Sequence, residues 1–430
     1  MEWLALDLGS TYTKCARIDT LRGVVESRQA ATPAPLPATP GRYEIDAEAY
    51  FDQAYALLRE LATPGVAGVL LSTQMHGWLL TDARFRPVTP YVSWQDRASM
   101  ERGAAGTAYL EELRGRIAPD CMARGGVPLK ANLALCSLYA RVRTGLALSP
   151  GYRFCTLGGY FIGRLTGQFV CHMTNAAPSG MADVQHASWS KERIEAAGLS
   201  SLSFSQIVAD FAPVGTADLG GRRVLVFPDL GDQQVCALGA QIAPEAELNV
   251  NIGTAGLIGA LTPSFAPGPY ESRPWIERGL YLRSVSGLPG GRQIAVLHGF
   301  YEGIVRHVAP DVEASQRVWD MMTRVQAEPG LRVRTDFFSG EGCIEGIGPG
   351  FDADMLTASL YGAIAEEYAR AAAGLNQPLH AVRFTGGCAE KNPALRRALC
   401  QGLRLCEAGA APNVMEGMRA LARMADRFAS

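Results

Sequence analysis

"LALDLGSTYTKCARI", residues 4–18, is an apolar run that stops at a polar-x-Gly-Ser/Thr turn and resumes as a second apolar run. "LNVNIGTAGLIGAL", residues 248–261, repeats the plan in the second half of the chain. Each reads as strand, tight turn, strand. A Gly at such a turn lets backbone N–H groups approach an anion closely, and a hydroxyl beside it adds a donor. One hairpin of this kind is as readily an ordinary turn as a phosphate site. Two, one near the start of each half, read as related domains that hold a polyphosphate through Gly9, Ser10, Thr11 and Lys14 and through Gly253 and Thr254. Asp7 is poorly placed beside an anion unless it orients a cation, and Mg²⁺ takes one or two carboxylates together with substrate phosphates.

Outward from the hairpins, the first segment alternates strands and helices, the pattern of an α/β domain. "GVAGVLLS" reads as a strand, and "DAEAYFDQAYALLREL" has helical apolar spacing with Asp46 placed to cap it. Between about 100 and 210 the pattern turns more helical, with "NLALCSLYARVRTG" and "YFIGRLTG" each closed by Gly. The apolar run ending at Pro228 sets the expected boundary: residues 1–228 as one domain, 229–430 as the other. In the second, "LTASLYGAIAEEYARAAAGL" is a strong helix, and "FTGGCAEKN" takes a strand into a Gly-Gly turn at a helix start. Helix N-termini suit phosphate or a nucleotide edge, which makes Gly386 and Gly387 candidates.

The chain has 430 residues, 48% apolar and 19% charged, with net charge −2. That supplies large cores, gives no basic field for nucleic acid and gives no reason to invoke a membrane surface. No run of about 18 apolar residues occurs, and "MEWLALDLGS" lacks the basic start of a signal peptide. Ten Cys without a C-x-x-C pair, and six His without metal-ligand spacing, suggest a reducing compartment. A cytoplasmic protein is expected.

Two further stretches carry chemistry. "STQMHGWLLTD" (72–82) and "YVSWQDRAS" (91–99) bring Gln74, His76, Trp94 and Asp96 close in sequence. Polar groups beside a Trp are what a sugar site requires: hydrogen bonds to hydroxyls and a flat wall against C–H faces. His76 alone reads as a core histidine; with Trp94 and Asp96 nearby the site reading is preferred. Asn175, in "MTNAAPSG", is a further candidate. "LGDQQVCALGA" (230–240) sets Asp232 between glycines, beside two Gln and ahead of a small apolar helix. A turn explains the glycines but not the Gln pair. The P-loop and protein-kinase signatures are absent.

Taken together, and in this order, "DLGSTYTK", "QMHGWLL", "WQDRAS", "GDQQVCALGA", "NIGTAG" and "FTGGCAEKNPALRR" resemble the motifs of the FGGY carbohydrate kinases, within the actin-like ATPase superfamily. The resemblance runs from residue 4 to about 400. It implies two actin-like (ribonuclease H-like) α/β domains with a cleft between them, an N-terminal one for sugar and a C-terminal one for nucleotide. It implies ATP and Mg²⁺, with Asp232 as catalytic base, Asp7 and Asp232 at the metal, Thr11 and Thr254 facing phosphates, and Gly386, Gly387 and Asn392 lining the adenosine site. Met75 and His76 stand where glycerol kinases carry an Arg-Glu pair. "WQDRAS", "NAAPSG" and "SVSGLPGGR" look most like sedoheptulokinases, so a ketose is expected, sedoheptulose first and xylulose second. Dimerisation is common in the family, so a homodimer is an open expectation.

Family members are usually longer. They commonly end in an Ala/Gly-rich helix, where this chain reads "CEAGAAPNVMEGMRALARMADRFAS" with Pro412 interrupting it. That altered tail puts the packing behind the adenosine site in question. Two rival readings remain: a non-catalytic sugar or nucleotide sensor, and an actin-like ATPase that turns over without sugar.

Overall fold

The computed structural model describes residues 1–266, 268, 270–309, 313–409 and 414–429. They form two compact units, each mixed α/β: Met1–Gly239 with Pro263–Leu282 and Val414–Ser430, and Ala240–Thr262 with Arg283–Asn413.

The first unit is built on a six-stranded sheet, in the order Gly215–Asp218, Arg223–Gly231, Val66–Thr73, Glu2–Leu8, Tyr12–Asp19, Gly23–Ala31. Glu2–Leu8 pairs antiparallel with Tyr12–Asp19 through the expected hairpin and parallel with Val66–Thr73. Side chains alternate across the central strand. Leu4, Leu6 and Leu8 join a core with Tyr50, Phe51, Ala54, Leu57 and Leu58 of helix Ala47–Leu61. Those helix positions repeat at three and four residues, and Asp46 caps the helix by accepting from the Glu48 and Ala49 N–H groups. Trp3 points to the other face, packs edge-on against Phe227, and donates from Nε1 to Asp426 Oδ1 at 2.9 Å.

In the second unit, Glu247–Ile252 pairs antiparallel with Gly256–Thr262 and parallel with Ala381–Thr385. This is the arrangement around Glu2–Leu8 in the first unit, so the echo between residues 4–18 and 248–261 is an echo of folded structure. Helices Gly291–Val308, Ala314–Arg324, Ala353–Gly374 and Pro393–Leu403 accompany this sheet.

The structure divides the chain elsewhere than at residue 228. Strand Arg223–Gly231 runs through Pro228, because its register against Val66–Thr73 shifts between Val226 and Asp229. The irregularity falls where the missing proline N–H would interrupt a ladder. The altered tail also lies elsewhere than expected. Pro412 is outside the described residues, but helix Val414–Ala425 belongs to the first unit, where it packs on the central strands with Met418, Leu421, Ala422 and Ala425 fully buried. Leu421→Ala should therefore cost about 2–5 kcal/mol, the usual range for a buried Leu truncation. Urea denaturation checks this; an unchanged midpoint would mean the helix is not part of the first core.

Candidate functional site

In the first unit, three parallel strands end level with one another: Leu8 stands beside Thr73, and Thr73 beside Gly231. Ligands gather outside such carboxyl ends in open α/β sheets. Asp7, Ser72 and Asp232 come together there. Asp7 is buried, accepts a hydrogen bond from Ser72 Oγ at 2.8 Å and stands opposite Lys14 in the hairpin register. Burial raises its pKa, against the Ser72 hydrogen bond and the Lys14 charge. Asp232 begins helix Asp232–Ala240, and its Oδ1 accepts from the Gln233 N–H at 2.8 Å. Burial, and then the charge of Asp7, push its carboxyl up to about 7, while Arg273 opposes them.

A carboxylate whose proton affinity a neighbouring carboxylate raises fits a hard divalent cation, which would relieve the repulsion. Among the described residues no group of three or more His, Cys, Asp or Glu could hold a metal. Two carboxylates alone would suit Mg²⁺ completed by phosphate and water rather than a closed protein cage.

The sugar-site candidates divide. Met75 and His76 lie around Arg273, whose charge also reaches Asp232. His76 takes a left-handed backbone (φ 72°), and its Nδ1 is 2.9 Å from the Pro178 carbonyl. Burial and the Arg273 charge hold its pKa down to about 3, so the ring is neutral. A neutral imidazole facing a carbonyl through Nδ1 carries its proton there, which leaves Nε2 as an acceptor. Met75 Sδ is 3.5 Å from Arg273 Nη1.

Asp96 and Asn175 are occupied by the scaffold instead, and Gln74 only through its amide N–H groups, since its buried Oε1 has no hydrogen-bond partner among the described residues. Gln74 donates to the Gly9 carbonyl and the Tyr50 hydroxyl, bracing the first hairpin from behind. Asp96 accepts from the Tyr43 and Ala98 N–H groups and from Arg141 at 2.6 Å, holding the turn in which Trp94 sits half-buried. Asn175 donates to Thr73 Oγ1 and to Asp229.

Four residues escaped the sequence reading. Arg273 and Glu271 are buried on strand Glu271–Pro274, with Arg273 Nε 2.5 Å from Glu271 Oε2, and Lys130 also binds Glu271. Burial works to raise the Glu271 carboxyl, yet Arg273 and Lys130 hold it down at about 2. The fourth is Asp229, buried in the strand that leads to Asp232. It accepts from the His172 N–H (2.7 Å), Thr156 Oγ1 (3.1 Å) and Asn175 Nδ2 (3.0 Å). Burial pushes its pKa up to about 7 against those bonds.

The second unit holds a cavity of about 680 Å³ of its own. Gly253, Thr254, Gly387 and Asn392 line it. Helix Gly291–Val308 docks on the hairpin, with the Gly291 and Arg292 N–H groups donating to the Gly253 and Thr254 carbonyls. Gly386 has φ 89°, and a Cβ there would lie 2.6 Å from the Ile252 carbonyl oxygen, so only glycine fits that turn. Asn392 reaches the wall, but its side chain caps helix Pro393–Leu403 and donates to the Tyr361 hydroxyl at 2.7 Å. Arg292 and Lys391 add positive charge to the lining, and Trp319 adds a flat ring held by stacking on His298, centroids 4.4 Å apart. A mainly apolar wall with two cations, the Asp320 carboxylate and one aromatic plate suits a nucleotide.

The Asp229 network yields a stability test. Asp229→Asn turns an NH₂ group toward donors only, and should cost about 2–4 kcal/mol in chemical denaturation, the scale of a buried, unsatisfied charged hydrogen bond. Wild-type stability in that variant would show that Asp229 does not stitch these elements together.

Residues 138–239 match the model of the FGGY family of carbohydrate kinases, N-terminal domain. The chain is 26% identical over 272 residues to the apulose kinase of Pectobacterium atrosepticum, covering 58% of this chain and 53% of that protein. It spans about half the length of the curated relatives it matches. Its fold superposes on the xylulose kinase of Rhodospirillum rubrum with a TM-score of 0.84 at 19% identity, covering 99% of this chain and 90% of that one. Glycerol kinase of Plasmodium falciparum, solved with ADP, superposes with 0.83 at 15% identity, covering 99% and 90%. The family model over residues 138–239 and the partial match to curated sugar kinases both point to the FGGY carbohydrate kinases as what this chain is similar to, and the solved structures share its fold.

Proposed function

We propose that this chain is an ATP-dependent sugar kinase that phosphorylates a ketose, with Asp232 as general base. The observation that carries the reading is Asp232 itself: a carboxylate at a helix start, with its proton affinity raised to about 7 by burial and by Asp7. Proton acceptors work best with a pKa near the working pH. Asp232 takes the proton of the attacking sugar hydroxyl as that oxygen bonds to the γ-phosphorus. The bond from the γ-phosphorus to the bridging oxygen breaks, and ADP leaves with its electrons. Asp7 and Asp232 would hold Mg²⁺, which would neutralise charge on the phosphates. Ser10, Thr11 and Lys14 of the first hairpin, and Gly253 and Thr254 of the second, contact phosphate. The cavity of the second unit takes the nucleoside.

The sugar lies against Met75, His76 and Arg273. His76 accepts one hydroxyl through Nε2. Arg273 donates through Nη1, whose neighbour in the structure is only a thioether, a weak acceptor. Met75 in place of the glycerol-kinase Arg, and the sedoheptulokinase-like loops, favour sedoheptulose, with xylulose next.

Two measurements test this. Asp232→Asn should lower kcat by at least about a thousandfold while ATP binding and the melting temperature hold; the figure combines loss of general base and of a metal ligand. A variant with near-wild-type kcat removes the base assignment. For the wild type, kcat/KM for MgATP, which reports the enzyme before the metal binds, should fall about tenfold per pH unit below about 7, because protonation of Asp232 removes both the acceptor and a metal ligand. A profile flat from pH 5 to 8, on the order of three units across this value, would contradict a base of that kind.

A further inference from the structure

Among the described residues, Asp320 is the one carboxylate that lines the second unit's cavity. Phosphates and a flat base account for Arg292, Lys391 and Trp319, but they leave a carboxylate without a use, and like charges repel. Asp320 is nevertheless fixed in place. Gln316 Nε2 donates to Asp320 Oδ1 at 2.9 Å from one turn earlier on helix Ala314–Arg324. Gln316, Trp319, Asp320 and Thr323 share the helix face that lines the cavity. Thr323 Oγ1 donates to the Asp320 carbonyl at 3.3 Å, so its proton is not offered to the carboxylate. The helix itself is pinned, because Trp319 stacks on His298, and His298 Nε2 lies 3.1 Å from the Ser315 carbonyl.

The hydrogen-bond inventory on this face is one-sided. With Gln316 Nε2 turned to Asp320, the amide Oε1 and the second carboxylate oxygen are neighbouring acceptors, and no described side chain donates to either. Two neighbouring acceptors call for a ligand with two neighbouring donors. Of the parts of ATP, the phosphates are acceptors, and adenine sets its one N–H₂ donor beside a ring lone pair. The ribose alone carries two hydroxyl donors on adjacent carbons. We propose that Asp320 and Gln316 clamp the 2′- and 3′-hydroxyls of the nucleotide, with the base against Trp319. The clamp rests on the reading of this cavity as the nucleoside site and adds which part of the nucleotide is recognised: the diol rather than the base edge. Its consequence is selection of ribonucleotides over nucleotides that lack the diol. A site built to bond a hydroxyl rejects the analogue without it, because its polar groups are left unpaired.

The test is calorimetric titration of the full chain, without sugar, with ADP, 2′,3′-dideoxy-ADP and GDP. The wild type should bind ADP at least about tenfold more tightly than the dideoxy analogue, the scale of hydrogen bonds to a charged group. Asp320→Ala should weaken ADP by a similar factor and leave dideoxy-ADP nearly where it was, so that the ratio closes, with the melting temperature unchanged. Gln316→Ala should close it in part. A merely structural role would weaken both nucleotides alike. Equal wild-type affinity for ADP and dideoxy-ADP overturns the clamp and leaves the kinase reading standing. A preference for GDP that Asp320→Ala removes would assign the two acceptors to the N–H groups of guanine and overturn it as well. Binding of none of the three overturns the assignment of the cavity to the nucleoside, and the clamp with it.

Discussion

A carboxylate is costly to bury, and two that share a site cannot both ionise cheaply. Asp7 and Asp232 are held in that position by backbone geometry. The parallel pairing of Glu2–Leu8, Val66–Thr73 and Arg223–Gly231 ends all three strands at one level, so the acid before Leu8 and the acid after Gly231 meet. Ser72 donates to one and the Gln233 N–H to the other, which fixes each without neutralising it. The rest of the first unit makes this arrangement rigid. Gln74 and Tyr50 brace the hairpin from behind, and Asp229 ties the incoming strand to Thr156, His172 and Asn175. Lys14 and Arg273 offset the pair's charge only in part, and a divalent cation would supply the rest.

Much of this was legible before any coordinates. The two hairpins, the Asp46 cap and the Gly-Gly turn rest on local rules: apolar runs, a capping side chain, a glycine where φ is positive. The boundary was misread for a local reason as well, since Pro228 looks like a strand end and a register shift is not visible in one sequence. The C-terminal helix was harder. Its apolar spacing is plain at Met418, Leu421, Ala422 and Ala425, but the sheet it covers begins some four hundred residues earlier.

The site was legible in its acids and less so in its ligands. Asp96, Asn175 and Asn392 have the chemistry of ligands, yet each spends its hydrogen bonds on backbone or on a neighbouring side chain, and Gln74 does so through its N–H groups alone. Sequence gives the donor and acceptor inventory but not who uses it. Arg273 and Glu271 were missed for the converse reason. In "ESRPW" they look like surface charges, and only burial and the distant Lys130 show them as a closed ion-pair cluster beside His76. A neutral His76 then follows from that neighbourhood rather than from the "QMHG" stretch itself.

The most direct measurement is ADP release from MgATP across sedoheptulose, D-xylulose, D-ribulose, D-fructose and glycerol. The account predicts turnover that depends on one ketose, with glycerol inactive. Turnover that ignores the sugar, or none with any of the five, would contradict a sugar kinase built around Asp232.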